Sequence, residues 1–334
     1  MNINNTSPVH LFSGEANRPL AENIARELKC PLSSMEFGRH PDGEQWLWFE
    51  PSVRGADVFL IQPLSPPVDE HLVQLMLMGD AVYSGSASRI TFVIPYLGYQ
   101  RQDRKAESHT PMSARVVIRS ALEAAAGGGV SLRSLVLDLH SEQLENIFRE
   151  YGQFDHLRAR PILAPHYREK FSEQLDELVV ASTDAGGVKG AEKFSRAIGA
   201  SSVAFIHKQR RDARTQGGGT TAVTLGGDVS GKDVLFVDDL ISTAGSLASG
   251  AELVKQHGAK RVYACATHGV FAGNGPENIR DSCIDEVCVT DSILVTADDI
   301  ARSGNKIRVI SVAPLLAKAI EAVYSNKSVS SLFE

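Results

Sequence analysis

The stretch Val234-Leu-Phe-Val-Asp-Asp-Leu-Ile-Ser-Thr-Ala-Gly-Ser-Leu247 decides the fold: an apolar run ends in two carboxylates, then opens through small residues into an amphipathic segment. Residues 234–237 are short, β-branched-rich and bounded by charge, which predicts a buried strand. Leu247, Ala251, Leu253 and Val254 recur at helical spacing beyond the turn, predicting a helix over 244–257. A strand, a tight loop and a helix make up the repeating unit of parallel α/β folds, and ligands collect at that loop. Thr243, Ala244, Gly245 and Ser246 present backbone N–H groups at a helix N-terminus, where unpaired donors and the positive dipole end favour an anion; two hydroxyls add donors. Asp238 and Asp239 can accept hydrogen bonds from a vicinal diol. An acidic pair that merely ends a strand, or a Ser-Thr helix cap, would look the same alone. Together they point to a phosphorylated sugar such as ribose 5-phosphate.

The alternation of β-branched runs with helical patterns continues on both sides. Residues 178–181, 203–207, 262–266 and 287–289 read as further strands of the second half, with helices near 189–198 and 314–323. In the first half 58–61, 90–94 and 135–139 read as strands, and 68–83 and 112–125 as helices. Two successive α/β units thus fill the 334 residues, of which 43% are apolar, enough for a sizeable core. The expected domains are 1–155 and 156–334, joined where the sequence turns polar between Phe148 and Leu163.

Net charge is −6 and no basic run is interleaved with aromatics, which argues against a nucleic-acid partner. The opening Met1-Asn-Ile-Asn-Asn-Thr-Ser-Pro8 has no charged region followed by an apolar stretch, and nowhere do about 18 apolar residues run together. The expectation is a cytoplasmic protein outside the membrane. Cys30, Cys265, Cys283 and Cys288 form no CxxC pair and lie in or beside apolar segments, so buried free thiols are expected.

A second loop adds polyphosphate chemistry. The strand at 90–94 runs into Pro95-Tyr-Leu-Gly-Tyr-Gln-Arg-Gln-Asp-Arg-Lys105, where Arg101, Arg104 and Lys105 can converge on phosphates and Gln102 can meet a base or sugar edge. By charge alone it reads equally as a solvated loop with internal ion pairs. Its wording closely resembles the ATP-binding segment of ribose-phosphate diphosphokinases, the synthetases of phosphoribosyl diphosphate. The 238–246 loop likewise resembles the ribose-phosphate loop of the type I phosphoribosyltransferase fold, which those synthetases share with enzymes that consume their product. The resemblance covers nearly the whole chain in the same order, including the first strand and turn at Leu11-Phe-Ser-Gly-Glu-Ala-Asn17.

That resemblance implies two tandem type I phosphoribosyltransferase-like domains, each a mostly parallel sheet flanked by helices. It implies transfer of the β,γ-diphosphoryl group of MgATP to the 1-hydroxyl of ribose 5-phosphate. Pro41-Asp-Gly-Glu44 resembles the adenine-contacting loop, so Asp42, Gly43 and Glu44 join Arg101, Gln102 and Asp103 as implied ATP contacts. In the family this loop reaches across a subunit interface, which implies a homo-oligomer. His140, in Asp138-Leu-His140, and Asp184, in Thr183-Asp-Ala-Gly-Gly187, match the family's two magnesium-site residues, implying Mg²⁺ as cofactor. On chemistry alone Asp184 is the more natural Mg²⁺ ligand, because the ion prefers oxygen. Lys208 and Arg210 match the catalytic lysine and arginine that begin a mobile loop, and Arg210 also reaches ribose 5-phosphate in that scheme. Asp238, Asp239, Ser242, Thr243, Ala244, Gly245 and Ser246 match the ribose 5-phosphate site.

Three positions depart from the pattern: His40 where Phe is common, Gln209 in place of the middle Arg, and Ser242 where many bacterial relatives carry Asp. A phosphoribosyltransferase would share the 238–246 loop without needing Arg101-Gln-Asp103 or two α/β halves. A non-catalytic synthetase-like subunit would have lost the loop cations or gained an insertion there.

Overall fold

The structure, a computed structural model, describes residues 7–105, 107–127, 130–200, 202–209 and 222–332. The chain divides into two compact units: Met1–Ala159 with Ser292–Leu294 and Ser311–Glu334, and Arg160–Asp291 with Val295–Ile310. The last helix, Ala313–Tyr324, packs on the helix Arg18–Leu28, so the tail of the 156–334 half belongs to the first unit. Tyr324 donates its hydroxyl hydrogen to the Ser7 carbonyl, 3.2 Å away, which ties the two ends of that unit together.

In the first unit the strands are β1 (Val9–Ser13), β2 (Met35–Arg39), β3 (Gln45–Phe49), β4 (Asp57–Ile61), β5 (Arg89–Ile94), β6 (Ser131–Leu137) and β7 (Gln153–Leu157). Five form a parallel sheet in the order β1-β4-β5-β6-β7, while β2 and β3 pair as a separate antiparallel hairpin. All of β4 is buried, as helices on both faces of a parallel sheet require. The helix Arg18–Leu28 starts at Asn17, whose side chain accepts the Leu20 N–H at 3.2 Å.

One polar element holds the amino edge of this sheet. Asp57, 2% exposed, accepts both arms of the Arg89 fork, and Arg89 also donates to Asn326 at 2.7 Å and to the Tyr324 carbonyl at 3.3 Å. Removing one partner of such a pair strands the other. Asp57→Ala should therefore lower unfolding stability by about 3 kcal/mol, the low end for buried pairs because Arg89 keeps a wet flank. A urea midpoint unchanged from wild type would contradict this.

The second unit contains β8 (Leu178–Ser182), β9 (Ser202–Gln209), β10 (Ala222–Gly226), β11 (Asp233–Ile241), β12 (Arg261–Gly269), β13 (Glu286–Thr290) and β14 (Ile307–Ile310). They form a seven-stranded sheet in the order β10-β9-β8-β11-β12-β13-β14, parallel except for the β9–β10 pair. The chain leaves β8 toward one edge and β11 toward the other, so the order reverses between them. Such a switch point opens a crevice at the carboxyl ends of its strands.

The mostly parallel α/β architecture expected from the sequence is present in both units. Strand and helix limits move by a few residues, and one shift matters. The strand expected to stop at Val237 continues to Ile241, because β12 pairs with it as far as Gly269, whereas β8 pairs with it only to Phe236. Asp238 and Asp239 thus lie within β11, on the stretch β8 no longer covers. None of the four cysteines forms a disulfide among the described residues; Cys265 and Cys288 are buried as expected, but Cys30 and Cys283 are only half-buried.

Candidate functional site

The crevice of the second unit is built from the ends of β8 and β11. Asp238 receives the Thr183 hydroxyl on Oδ2 at 3.0 Å and the Asp239 N–H on Oδ1 at 2.9 Å. Although the residue keeps an exposed flank, withdrawal of its carboxylate from water and then the adjoining Asp239 carboxyl push its pKa up to about 7. Asp184 follows β8 in an exposed bend, with Oδ1 accepting the Gly187 N–H at 2.9 Å.

Ala244 turns the loop after β11 through a left-handed conformation, φ 57°, and the helix Gly245–Gln256 starts directly after it. The N–H groups of 243–247 find no acceptor among the described residues. From below, the Ala272 N–H reaches the Ser242 carbonyl at 3.1 Å and Asn278 Nδ2 reaches the Thr243 carbonyl at 2.8 Å. Gly275 lies so close that a Cβ there would meet the Ser242 carbonyl oxygen at 2.9 Å. The structure therefore brings together Asp238, Asp239, Ser242, Thr243, Ala244, Gly245 and Ser246, with Asp184 across the crevice.

The first unit presents its candidate residues on loops. His40, Asp42, Gly43 and Glu44 are exposed at the tip of the β2–β3 hairpin, where Asp42 Oδ1 accepts the Glu44 N–H at 3.1 Å. Both flanks of the tip are clamped by Glu70: Arg39 Nη2 donates to its carboxylate at 2.6 Å and Gln45 Nε2 to its carbonyl at 3.0 Å. Asp69, the neighbour of Glu70 on the helix Val68–Ser84, accepts the Tyr99 hydroxyl at 2.8 Å, anchoring the turn that carries Arg101. Gln102 closes that turn, its N–H meeting the Tyr99 carbonyl at 3.0 Å, and receives the Ser113 hydroxyl. Arg101 and Gln102 are exposed, and Asp103 is half-buried.

His140 is exposed at the end of a rigid segment in which three successive N–H groups are taken. Asp138 donates to the Leu157 carbonyl at 2.9 Å, Leu139 to His156 Nε2 at 2.8 Å and His140 to Gln100 Oε1 at 2.9 Å. Because His156 Nε2 accepts, its Nδ1 carries the proton and donates to Glu145 at 2.7 Å. Burial and then the Arg158 charge lower the His156 pKa, consistent with a neutral ring.

Lys208 has its backbone in β9, opposite Val223 of β10. Arg210, with Arg211 and the glycines at 217–219, lies outside the described residues. Sequence reasoning passed over Thr183, Asn278, Gly275, Glu70, Gln100 and His156, whose roles come from contacts distant in the chain.

Two family models match this chain. Residues 9–125 match the N-terminal domain of ribose phosphate pyrophosphokinase, and residues 218–334 match the phosphoribosyl synthetase-associated domain. Ribose-phosphate pyrophosphokinase of Thermotoga maritima is 42% identical over 328 residues, 98% of this chain and 99% of its own length. This chain belongs to the ribose-phosphate pyrophosphokinase family. The Rhodopirellula baltica member is 40% identical over 97% of this chain and 98% of its own length. The crystal structure of phosphoribosylpyrophosphate synthetase from Mycobacterium smegmatis matches with a TM-score of 0.86 and 35% identity, covering 96% of this chain and 100% of that one. As a pyrophosphokinase family member the chain is an enzyme, a transferase of nucleotide biosynthesis. Among the described residues no helix is long and apolar enough to cross a membrane.

Proposed function

We propose that this chain transfers the β,γ-diphosphoryl group of MgATP to the 1-hydroxyl of ribose 5-phosphate, giving 5-phosphoribosyl 1-diphosphate and AMP. The observation that carries the reading is the β11 diacid running into an unpaired N–H loop at a switch point, in a chain with full-length pyrophosphokinase relatives. The 5-phosphate occupies the 243–247 amides with the hydroxyls of Ser242, Thr243 and Ser246; Ala244 and Gly245 let the backbone approach. Asp238 and Asp239 receive the 2′ and 3′ hydroxyls. Asp42, Gly43, Glu44, Arg101, Gln102 and Asp103 bind the nucleotide, and His40 offers a ring for the adenine to stack on.

The 1-hydroxyl oxygen attacks the β-phosphorus, the bond from that phosphorus to its oxygen bridge with the α-phosphorus breaks, and the bridge leaves on AMP while the hydroxyl proton is released. Lys208 and Arg210 hold positive charge over the oxygens where negative charge grows. His140 and Asp184 are the proposed magnesium-site residues. Asp184 fits, because Gly187 engages one carboxylate oxygen and leaves the other for a hard cation. Magnesium, when bound, neutralises charge on the phosphoryl oxygens.

A cytoplasmic homo-oligomer with the ATP site at a subunit interface completes the proposal. Trp46 and Trp48, 39% and 57% exposed on one face of β3, support an interface at that hairpin. The test is AMP formation from MgATP with and without ribose 5-phosphate; AMP release that ignores the sugar phosphate overturns the reading.

A pH dependence follows from Asp238. Its folded pKa is raised, so the folded protein holds a proton that the unfolded chain gives up between the ordinary carboxylate range and about 7. Stability from this group therefore falls as pH rises through that window. Binding moves oppositely, since a charged carboxylate accepts both diol hydrogens: ribose 5-phosphate affinity should rise from pH 6 to pH 8. The phosphate itself titrates with a pKa of about 6, so Asp238→Asn is the control that separates the two. An unaltered pH slope in that variant would remove Asp238 as the cause.

A further inference from the structure

Gln100 is 1% exposed, sits between Tyr99 and Arg101, and carries a buried Nε2 with no hydrogen-bond partner among the described residues. The orientation of its amide is fixed by chemistry, because Oε1 accepts the His140 N–H at 2.9 Å and a flipped amide would set donor against donor. Buried donors are nearly always satisfied, so an orphan beside two functional loops calls for an explanation.

Gln100 and Arg101 are the central residues of the turn closed by the Gln102 N–H and the Tyr99 carbonyl, 3.0 Å apart. Tyr99 takes a left-handed backbone at φ 60° and is held by Asp69. Fixing the Gln100 side chain therefore fixes the backbone that presents Arg101. The same amide holds His140 by its backbone, so one side chain sets the arginine turn against the histidine segment.

We propose that Gln100 belongs to the nucleotide site: its carbonyl positions His140, and its NH₂ group donates to a phosphate oxygen of bound MgATP. The inference rests on the nucleotide reading of Arg101 and its neighbours. Arg101 and Gln102, which follow it in the turn, are exposed, and the proposal requires the turn to move on nucleotide binding so that the amide is uncovered.

Two substitutions divide the roles. Gln100→Glu retains an oxygen for the His140 N–H and replaces the donor with an oxygen that repels phosphate; Gln100→Met keeps the approximate volume and removes both polar groups. Calorimetry with MgATP alone should give an affinity about tenfold lower for each variant, as loss of a hydrogen bond to a charged group predicts. Ribose 5-phosphate affinity, which reports on the second unit, should be unchanged in both, and a cooperative thermal unfolding transition certifies that the first unit is folded. MgATP affinity within twofold of wild type in both variants overturns the proposal and assigns the amide to an internal water. Loss in Gln100→Met with wild-type affinity in Gln100→Glu overturns the donor role. Arg101→Ala separates this from the larger reading: if it leaves MgATP affinity unchanged, the nucleotide assignment falls as well, and if it weakens binding while the Gln100 variants do not, only the Gln100 proposal falls.

Discussion

Lys208→Ala should leave ribose 5-phosphate binding near the wild-type value and lower turnover by about three orders of magnitude, the range for removing a cation that acts on a phosphoryl transition state. Diphosphoryl transfer asks little covalent chemistry of the protein. Charge spreads over the β-phosphoryl oxygens and the departing AMP oxygen, and a cation that meets that charge only as it forms accelerates the step without tightening the ground state. In the proposed scheme Lys208 meets that charge; its backbone pairs with Val223 of β10, one residue before β9 ends at Gln209. The proposed sugar-phosphate site, in contrast, is the β11 loop, so binding there should survive the substitution. AMP formation under saturating substrates and calorimetry with ribose 5-phosphate measure the two halves. Turnover within tenfold of wild type would remove Lys208 from the chemistry.

Residues 234–247 were legible because every level of description agrees there: β-branched strand, acidic pair, small residues, amphipathic helix. The persistence of β11 through Asp238 and Asp239 was not, since it depends on β12 pairing that strand where β8 has ended. The β2–β3 hairpin was hidden by Gly38 and by tryptophans facing outward, which make β3 apolar on both faces although only Leu47 and Phe49 pack on the core, so no apolar–polar alternation marks it. β7 reads as polar because Asp155 is committed to Arg133 and His156 to Glu145. Such side chains look solvated in one dimension and gain partners only in the fold, Asp155 from the neighbouring strand and His156 from the helix Glu145–Arg149. The same holds for Thr183 and Asn278, ordinary residues until β11 and its loop are laid beside them.

Gly245→Asp should abolish useful ribose 5-phosphate binding in a protein at least as stable as wild type. A Cβ at Gly245 would find only Thr243 Oγ1, at an ordinary 3.8 Å, and its backbone is not in the left-handed region, so a side chain enters without strain. An aspartate there sits on the first helical residue, where the dipole rewards negative charge by about 0.3–1 kcal/mol. The helix gains from the same field that the proposed phosphate would use. With that position already anionic, the incoming dianion meets like charge at close range, a cost of several kcal/mol, and affinity falls by about two orders of magnitude. Gly245→Ala, which adds bulk without charge, should bind within severalfold of wild type. Gly275→Ala makes the opposite comparison: its Cβ would press the Ser242 carbonyl from 2.9 Å, so the loop must shift and both stability and binding should decline. Thermal unfolding beside calorimetry distinguishes these cases. Wild-type affinity in Gly245→Asp would mean that the phosphate does not rest on the N-terminus of this helix.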